Sequence, residues 1–383
     1  MAFLRGTENA DNLTGGGGDD QIFGREGNDV LTGLGGVDII LGNDGDDEIN
    51  GGDGNDQLFG NDGNDQIVGG SGDDVLNGGD GDDGLDGGDG NDTVIGGSNT
   101  RSAGGFSISV TTEDGTIQSA NVSANQVTGG DTILGGAGND LLSGNNGGDI
   151  IDGGPDNDTV LGSTGEDLIF GGSGDDELLG GSENDVIVGE GGQDLIVAGT
   201  GSDLIFGDNG EGADGSDEIV AGDGDDTIIG GGGNDNISAG LGNDIVQGNE
   251  GDDTLFGSNG DDDLSAGSGV DILNGFGAGT PGQRDILRGG SDGALDTFIL
   301  GTEDGVFYAN PSDTQDDFAI IIGFEVGVDT IQLGSVGGQV SYGVQGVNFS
   351  GTPSAAIIAN ELQEIVGIVA GVTGFAGNSF TVL

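Results

Sequence analysis

From Gly6 to Ile95 a large aliphatic residue returns at every ninth position: Leu13, Ile22, Leu31, Ile40, Ile49, Leu58, Ile67, Leu76, Leu85 and Val94. Glycine and polar residues dominate between them. A lone apolar residue with outward neighbours on both sides fits a short strand, in which alternate side chains face opposite ways. Glycines before each strand supply a tight turn. One turn and one strand reverse the chain, so two nonapeptides close one coil. Residues 18 apart then stack at the parallel-strand spacing of about 4.8 Å. The pattern predicts an all-β parallel solenoid whose short strands span only the three residues around each aliphatic.

The repeat is G-G-x-G-x-D-x-U-x, with U a large aliphatic. Ten nonapeptides run without a slip from Gly6, with sixth positions Asp11, Asp20, Asp29, Asp38, Asp47, Asp56, Asp65, Asp74, Asp83 and Asp92. The register returns at Asp131 and continues through Asp140, Asp149, Asp158, Asp167, Asp176, Asp185, Asp194 and Asp203. A 14-residue unit carries Asp217, and Asp226, Asp235, Asp244, Asp253, Asp262 and Asp271 follow. Two longer units end the array with Asp285 and Asp296. Position four departs from glycine only at Asn9, Asp156 and Glu183 among the 24 nonapeptides.

Stacking makes these aspartates the candidate site. Carboxylates about 5 Å apart repel by roughly 3 kcal/mol at an effective dielectric near 20. The chain offers little to relieve them: 70 acidic residues, five arginines, no lysine and a formal net charge of −65. A hard divalent cation between coils turns the repulsion into ligation. Calcium accepts six to eight oxygens in flexible geometry, backbone carbonyls included, whereas magnesium keeps its waters in a small octahedral shell. Zinc is disfavoured because histidine and cysteine are absent. The competing readings are a solvated acidic face and an EF-hand. The D-x-D spacing at Asp44 and Asp46 lacks the flanking helices and the closing glutamate of an EF-hand. Counting gaps between stacked aspartates gives up to eight calcium sites in the first array and up to 16 in the second, up to about 24 in all.

The charge excludes ordinary nucleic-acid binding, which needs Lys and Arg on phosphates. No apolar stretch reaches the roughly 20 residues of a membrane span; Ala355–Val372 is broken by Asn360, Glu361 and Glu364. No basic start with an apolar run is seen before the repeats, so no cleavable signal peptide is expected. Without His, Cys or Lys there is no Ser–His pair, P-loop or Schiff base, and no enzyme is expected.

The nonapeptide resembles that of the RTX, or haemolysin-type, calcium-binding proteins. The resemblance implies a right-handed parallel β-roll loaded with calcium, and export by the type I secretion machinery with an uncleaved C-terminal signal. The apolar ending Ser379–Leu383 is compatible with such a signal. The aromatic tail, with Phe298, Phe307, Tyr308, Phe318, Phe324 and Phe375, resembles the segment after the repeats in secreted bacterial metalloproteases and many cyanobacterial RTX proteins. "FAIIIGFEVGVDTIQL" (Phe318–Leu333) reads as strand, turn, strand.

The expected organisation is a first β-roll over 1–97, a β-hairpin insertion over 98–128 ("FSISV" and "IQSANV" about "TEDGT"), a second roll over 129–296 and a β-rich capping and secretion domain over 297–383. Position nine is expected to face outward. It forms apolar ladders at Phe23, Leu41, Phe59 and Ile95, at Leu161, Leu179, Val197 and Val220, and at Phe170, Val188, Phe206 and Ile229, which offer surfaces for self-association. The function expected is a secreted calcium-binding structural protein of the cell surface or matrix. The alternatives are a folding and export carrier for a separate catalytic partner, or an ice- or surface-binding adhesin.

Overall fold

The structure is a computed structural model describing residues 1–98, 107–111, 117–121, 130–208, 215–277, 283–290, 292–302, 305–306, 319–324, 329–333, 342–349, 352–359, 364–370 and 380–382. It is all-β, with no helix among the described residues. The chain divides into two compact units, the first over Met1–Thr200 and the second from Gly201 onward.

In the first unit each nonapeptide after the first, which forms Asn12–Thr14, gives a strand of six residues, as at Gln57–Asp62, Gln66–Ser71 and Val75–Asp80. Three had been expected. The strand starts at position seven and runs through positions one to three of the next repeat. Those turn-side residues also pair with the neighbouring coil: Gln57, Leu58, Phe59, Asn61 and Asp62 lie against Ile39, Ile40, Leu41, Asn43 and Asp44. Only position one drops out of the register. Outside the insertion the pairings are parallel and 18 residues in step, so odd and even repeats build separate sheets.

Alternation along the longer strand sends position eight and position one inward. Ile22, Ile40, Leu58 and Leu76 have no exposed surface. Burying each such side chain contributes about 2 kcal/mol, so the core is one aliphatic residue thick per repeat. Position one accepts only glycine or alanine, and Ala198, Ala221, Ala239 and Ala266 are fully buried there.

The glycines therefore serve two purposes. Positions two and four need positive φ, as at Gly52 (+111°) and Gly54 (+133°). Residues other than glycine in those slots adopt it too, for example Leu34 (83°), Asn43 (81°), Asp156 (82°) and Glu183 (76°). Position one has an ordinary φ and is small for want of room. A Cβ on Gly171 would sit 2.6 Å from Asp176 Oδ2 and 2.8 Å from Gly189 O.

The insertion leaves the coil without disturbing it. Gly84–Asp89 pairs directly with Thr132–Ala137, and Thr93–Ser98 with Leu141–Asn146. Within it, Ser107–Thr111 and Ile117–Asn121 form the expected antiparallel pair. The "TEDGT" turn, Phe106 and Val122 lie outside the described residues.

The second unit repeats this plan: Glu218–Asp223 pairs with Asn236–Leu241, and Thr227–Gly232 with Ile245–Glu250. The two strands read in Phe318–Leu333 do not pair with each other. Ala319–Ile322 adds to Ile286–Arg288, and Thr330–Leu333 adds to Thr297–Ile299, so each prolongs a different sheet. Glu364–Ala370 and Phe380–Val382 then extend the same two sheets. Tyr342–Phe349, Thr352–Ala359 and Glu364–Ala370 form an antiparallel meander, so the Ala355–Val372 stretch is β-structure where described. Phe298 and Phe324 are buried with ring centroids 6.0 Å apart. Phe307, Tyr308, Phe318, Phe375, Ser379 and Leu383 lie outside the described residues. No helix is long and apolar enough to cross a membrane among the described residues.

The expected apolar ladders differ in exposure. Phe23, Leu41 and Phe59 are half-buried; Arg5 stands in register with Phe23, and the exposed Phe3, two residues earlier, brings its ring to 5.5 Å from Phe23. Val188 in the first unit, and Phe206 and Ile229 in the second, are closed off from solvent. Those three present no free surface, in contrast to their expected outward aspect, whereas Phe170 is half-buried.

Candidate metal centre

Each position-six aspartate ends the turn and begins the strand, which folds its carboxylate back under the turn. All the candidate aspartates are buried except Asp11, which is half-buried in the first coil. Along each row the backbone N–H donates to Oδ1 of the aspartate one coil further on. Asp38 donates to Asp56 and Asp56 to Asp74, both at 2.7 Å. A side chain thus takes the place of a ladder carbonyl at this position.

In the first unit these bonds run through two rows. One holds Asp11, Asp29, Asp47, Asp65, Asp83, Asp131, Asp149, Asp167 and Asp185. The other holds Asp20, Asp38, Asp56, Asp74, Asp92, Asp140, Asp158, Asp176 and Asp194. The rows cross the insertion unbroken, with Asp83 N–H to Asp131 Oδ1 at 2.8 Å and Asp92 N–H to Asp140 Oδ1 at 2.6 Å. In the second unit one row joins Asp203, Asp226, Asp244, Asp262 and Asp285. The other joins Asp217, Asp235, Asp253, Asp271 and Asp296. Asp329, read as part of the tail, accepts from Asp296 N–H at 3.2 Å and extends this row.

The second carboxylate oxygen has a different fate. Oδ2 of Asp38, Asp56, Asp65, Asp74, Asp158 and Asp176 is buried and meets no donor. It lies against the position-one glycine of its own repeat and the position-one carbonyl of the next coil, in a cradle that a Cβ would fill. Around Gly135 the two oxygens are Asp140 Oδ2, at 2.6 Å from the Cβ position, and Gly153 O, at 2.5 Å. The position-four carbonyls of Gly36, Gly54 and Gly72 also find no donor among the described residues. The turns therefore hold buried oxygen acceptors with nothing to neutralise them.

A family model for the RTX calcium-binding nonapeptide repeat matches the chain in overlapping stretches from 5–40 to 59–94 and from 127–160 to 238–273. These cover more than half of the 383 residues. The chain belongs to the RTX calcium-binding repeat family. No curated protein matches it. The tail from 297 lies beyond the matched residues, and its resemblance to metalloprotease and cyanobacterial tails is unsupported by these comparisons.

RTX nonapeptide repeats bind calcium, and this donor set suits that ion: all oxygen, part carboxylate and part carbonyl, with no nitrogen or sulfur ligand to favour a softer metal. Bound calcium would supply the positive charge that Oδ2 and the turn carbonyls lack. Without it burial makes most of these carboxylates harder to ionise. Burial pushes Asp47 and Asp56 up to about 6, Asp65 and Asp74 to about 7, and Asp149 and Asp235 to about 8. The backbone N–H bond pulls each back, and row neighbours raise it further. Asp20 goes the other way, lowered by N–H groups of Ala2 and Gly16 at the open first coil.

Position five was read as a free x, yet it carries a second ladder outside the turn. Asn64 N–H donates to Asp46 Oδ1 at 3.0 Å, Asn139 N–H to Asn91 Oδ1 at 2.9 Å, and Asp175 N–H to Asn157 Oδ1 at 3.1 Å. The recurrence of Asn, Asp and Ser at this position was its visible signal. The donor here sits on the later coil, whereas in the inner rows it sits on the earlier one.

The raised carboxylates set a pH dependence. The coiled, calcium-free chain binds more protons than the unfolded chain, whose aspartates titrate near 3.8. Its stability therefore rises as pH falls through about 8 to 6, and the gain is complete near the unfolded value. In excess chelator, circular dichroism is expected to gain β signal from pH 8 to pH 5. An unchanged or diminished signal at pH 5 contradicts the burial of these groups.

Proposed function

We propose that this RTX protein is a secreted structural component of a cell surface or extracellular matrix, such as a surface layer, sheath or adhesive coat, which coils when it meets calcium outside the cell. The observation that carries the reading is the succession of buried position-six carboxylates within each unit, whose Oδ2 meets no donor at residues such as Asp38, Asp56, Asp65 and Asp74. A chain with so much self-repulsion and glycine entropy stays expanded at low cytosolic calcium. RTX β-rolls are typically structural rather than catalytic, and RTX proteins are typically secreted.

The ligands in this reading are the position-six aspartates, each shared between the coils before and after it, together with turn carbonyls. Joining of the rows across the insertion adds to the up to about 24 gaps counted from separate arrays. The half-buried row Phe23, Leu41 and Phe59, with the exposed Phe3 ring against Phe23, is the apolar surface for lateral self-association. Export uses the type I machinery and a signal in the tail.

Three outcomes are expected. Replacing Asp56 with alanine weakens the intervals shared with Asp38 and Asp74, because solenoid energetics are nearest-neighbour. Calorimetry then loses about two calcium ions while distant coils keep theirs; loss of all binding, or of none, contradicts shared ligation. Purified protein in millimolar calcium forms sheets or filaments under the electron microscope. Dispersed monomers that instead support folding of an added catalytic partner would favour the carrier reading. Removing Thr297–Leu383 leaves the protein inside cells, checked by immunoblots of cells against medium; its appearance in the medium would remove the tail signal from the scheme.

A further inference from the structure

Position four carries glycine in nearly every nonapeptide, and its absent side chain leaves the position-four carbonyl of the coil below without a donor. The longer unit that ends at Asp285 departs from this. Its residue two places before the aspartate is Gln283, which has 1% of its surface exposed. The Gln283 amide nitrogen donates to Ser258 O at 3.0 Å and to Gly260 O at 3.2 Å. Those are the position-two and position-four carbonyls of the coil below. Gly260 O is thus the counterpart of the Gly36, Gly54 and Gly72 carbonyls that meet no donor.

The rest of the interval keeps its regular bonds. Asp262 N–H donates to Asp285 Oδ1 at 3.0 Å, and Arg284 N–H donates to Asp261 Oδ1 at 2.9 Å. The substitution is therefore local to the carbonyl side of the turn. Gln283 Oε1 is buried and unpartnered. This orientation gives both carbonyls a donor and leaves one amide oxygen unmet. Reversing the amide would set a third acceptor against two carbonyls, which is favourable only if a cation stood among them.

We infer that the Gln283 amide replaces the calcium ion in the interval between the coils of Asp262 and Asp285. Two N–H groups on one neutral amide meet the two carbonyls that a divalent ion would meet elsewhere, while Asp262 Oδ2 still has no donor. This turn closes without calcium, and the chain binds one ion fewer than its rows allow. The inference rests on the calcium reading of the other turns and names an interval in which the donor set does not fit the ion.

The test counts calcium ions per full-length chain by native mass spectrometry at saturating calcium, wild type beside variants. Gln283→Gly restores the repeat's usual residue and is expected to bind one ion more. An unchanged count overturns the inference, and one ion fewer overturns it by making Gln283 a ligand through Oε1. Should the glycine variant fail to coil, Gln283→Glu keeps the side-chain length and offers only oxygen. A gain of one ion there supports the replacement, and no gain contradicts it. A wild-type chain that binds no calcium at all would sink the calcium reading itself, a result distinct from equal, non-zero counts in wild type and variant.

Discussion

The fold turns on how each position-six aspartate divides its two oxygens. At Asp38, Asp56, Asp65 and Asp74, Oδ1 accepts a backbone N–H from the coil before, and Oδ2 is left buried without a donor. The first bond makes the carboxylate a structural part of the ladder, so it cannot swing out to water. The second oxygen then imposes a charge that burial penalises. With one aliphatic side chain per repeat, the core is too thin to carry that penalty comfortably. The same side chain therefore holds the coil together and makes it dependent on a proton or a calcium ion.

Much of this was legible because the repeat is so regular. A nine-residue period with one aliphatic and one aspartate specified two-repeat coils, inward Leu58 and Ile67, and stacked Asp38, Asp56 and Asp74. What escaped depends on backbone geometry rather than on residue type. The strands run on to position three because glycine turns still permit pairing beyond Phe59, at Asn61 and Asp62. Position one and positions two and four look alike as glycines, yet one set answers to space and the other to φ. Asp329 was hidden because a 33-residue interval separates it from Asp296, and sequence spacing conceals neighbours once a loop intervenes.

The two hydrogen-bond ladders of the turn have opposite sense. Inner bonds run from an earlier N–H to a later carboxylate, and outer bonds from a later N–H to an earlier side chain. Each coil is held to its neighbour from both directions at adjacent residues. Position five tolerates Asn, Asp or Ser because an exposed acceptor is all it needs. Position six carries aspartate in every unit; its Oδ1 serves as acceptor inside, and in the proposed reading its Oδ2 is the oxygen for the cation.

The bridging of the insertion carries a consequence for how such chains can change. Asp83 meets Asp131 as closely as Asp65 meets Asp83, so the stack registers coils and ignores the residues looped out between them. Parity, not length, is what inheritance must conserve. Duplicating a pair of repeats lengthens the stack and leaves every later side chain on its original sheet. Duplicating a single repeat keeps both carboxylate rows intact yet moves every later residue to the opposite sheet, exchanging the outward surfaces of everything downstream. A gene built this way can acquire loops freely and grow in steps of 18 codons, while a step of nine redraws its exterior without touching its interior.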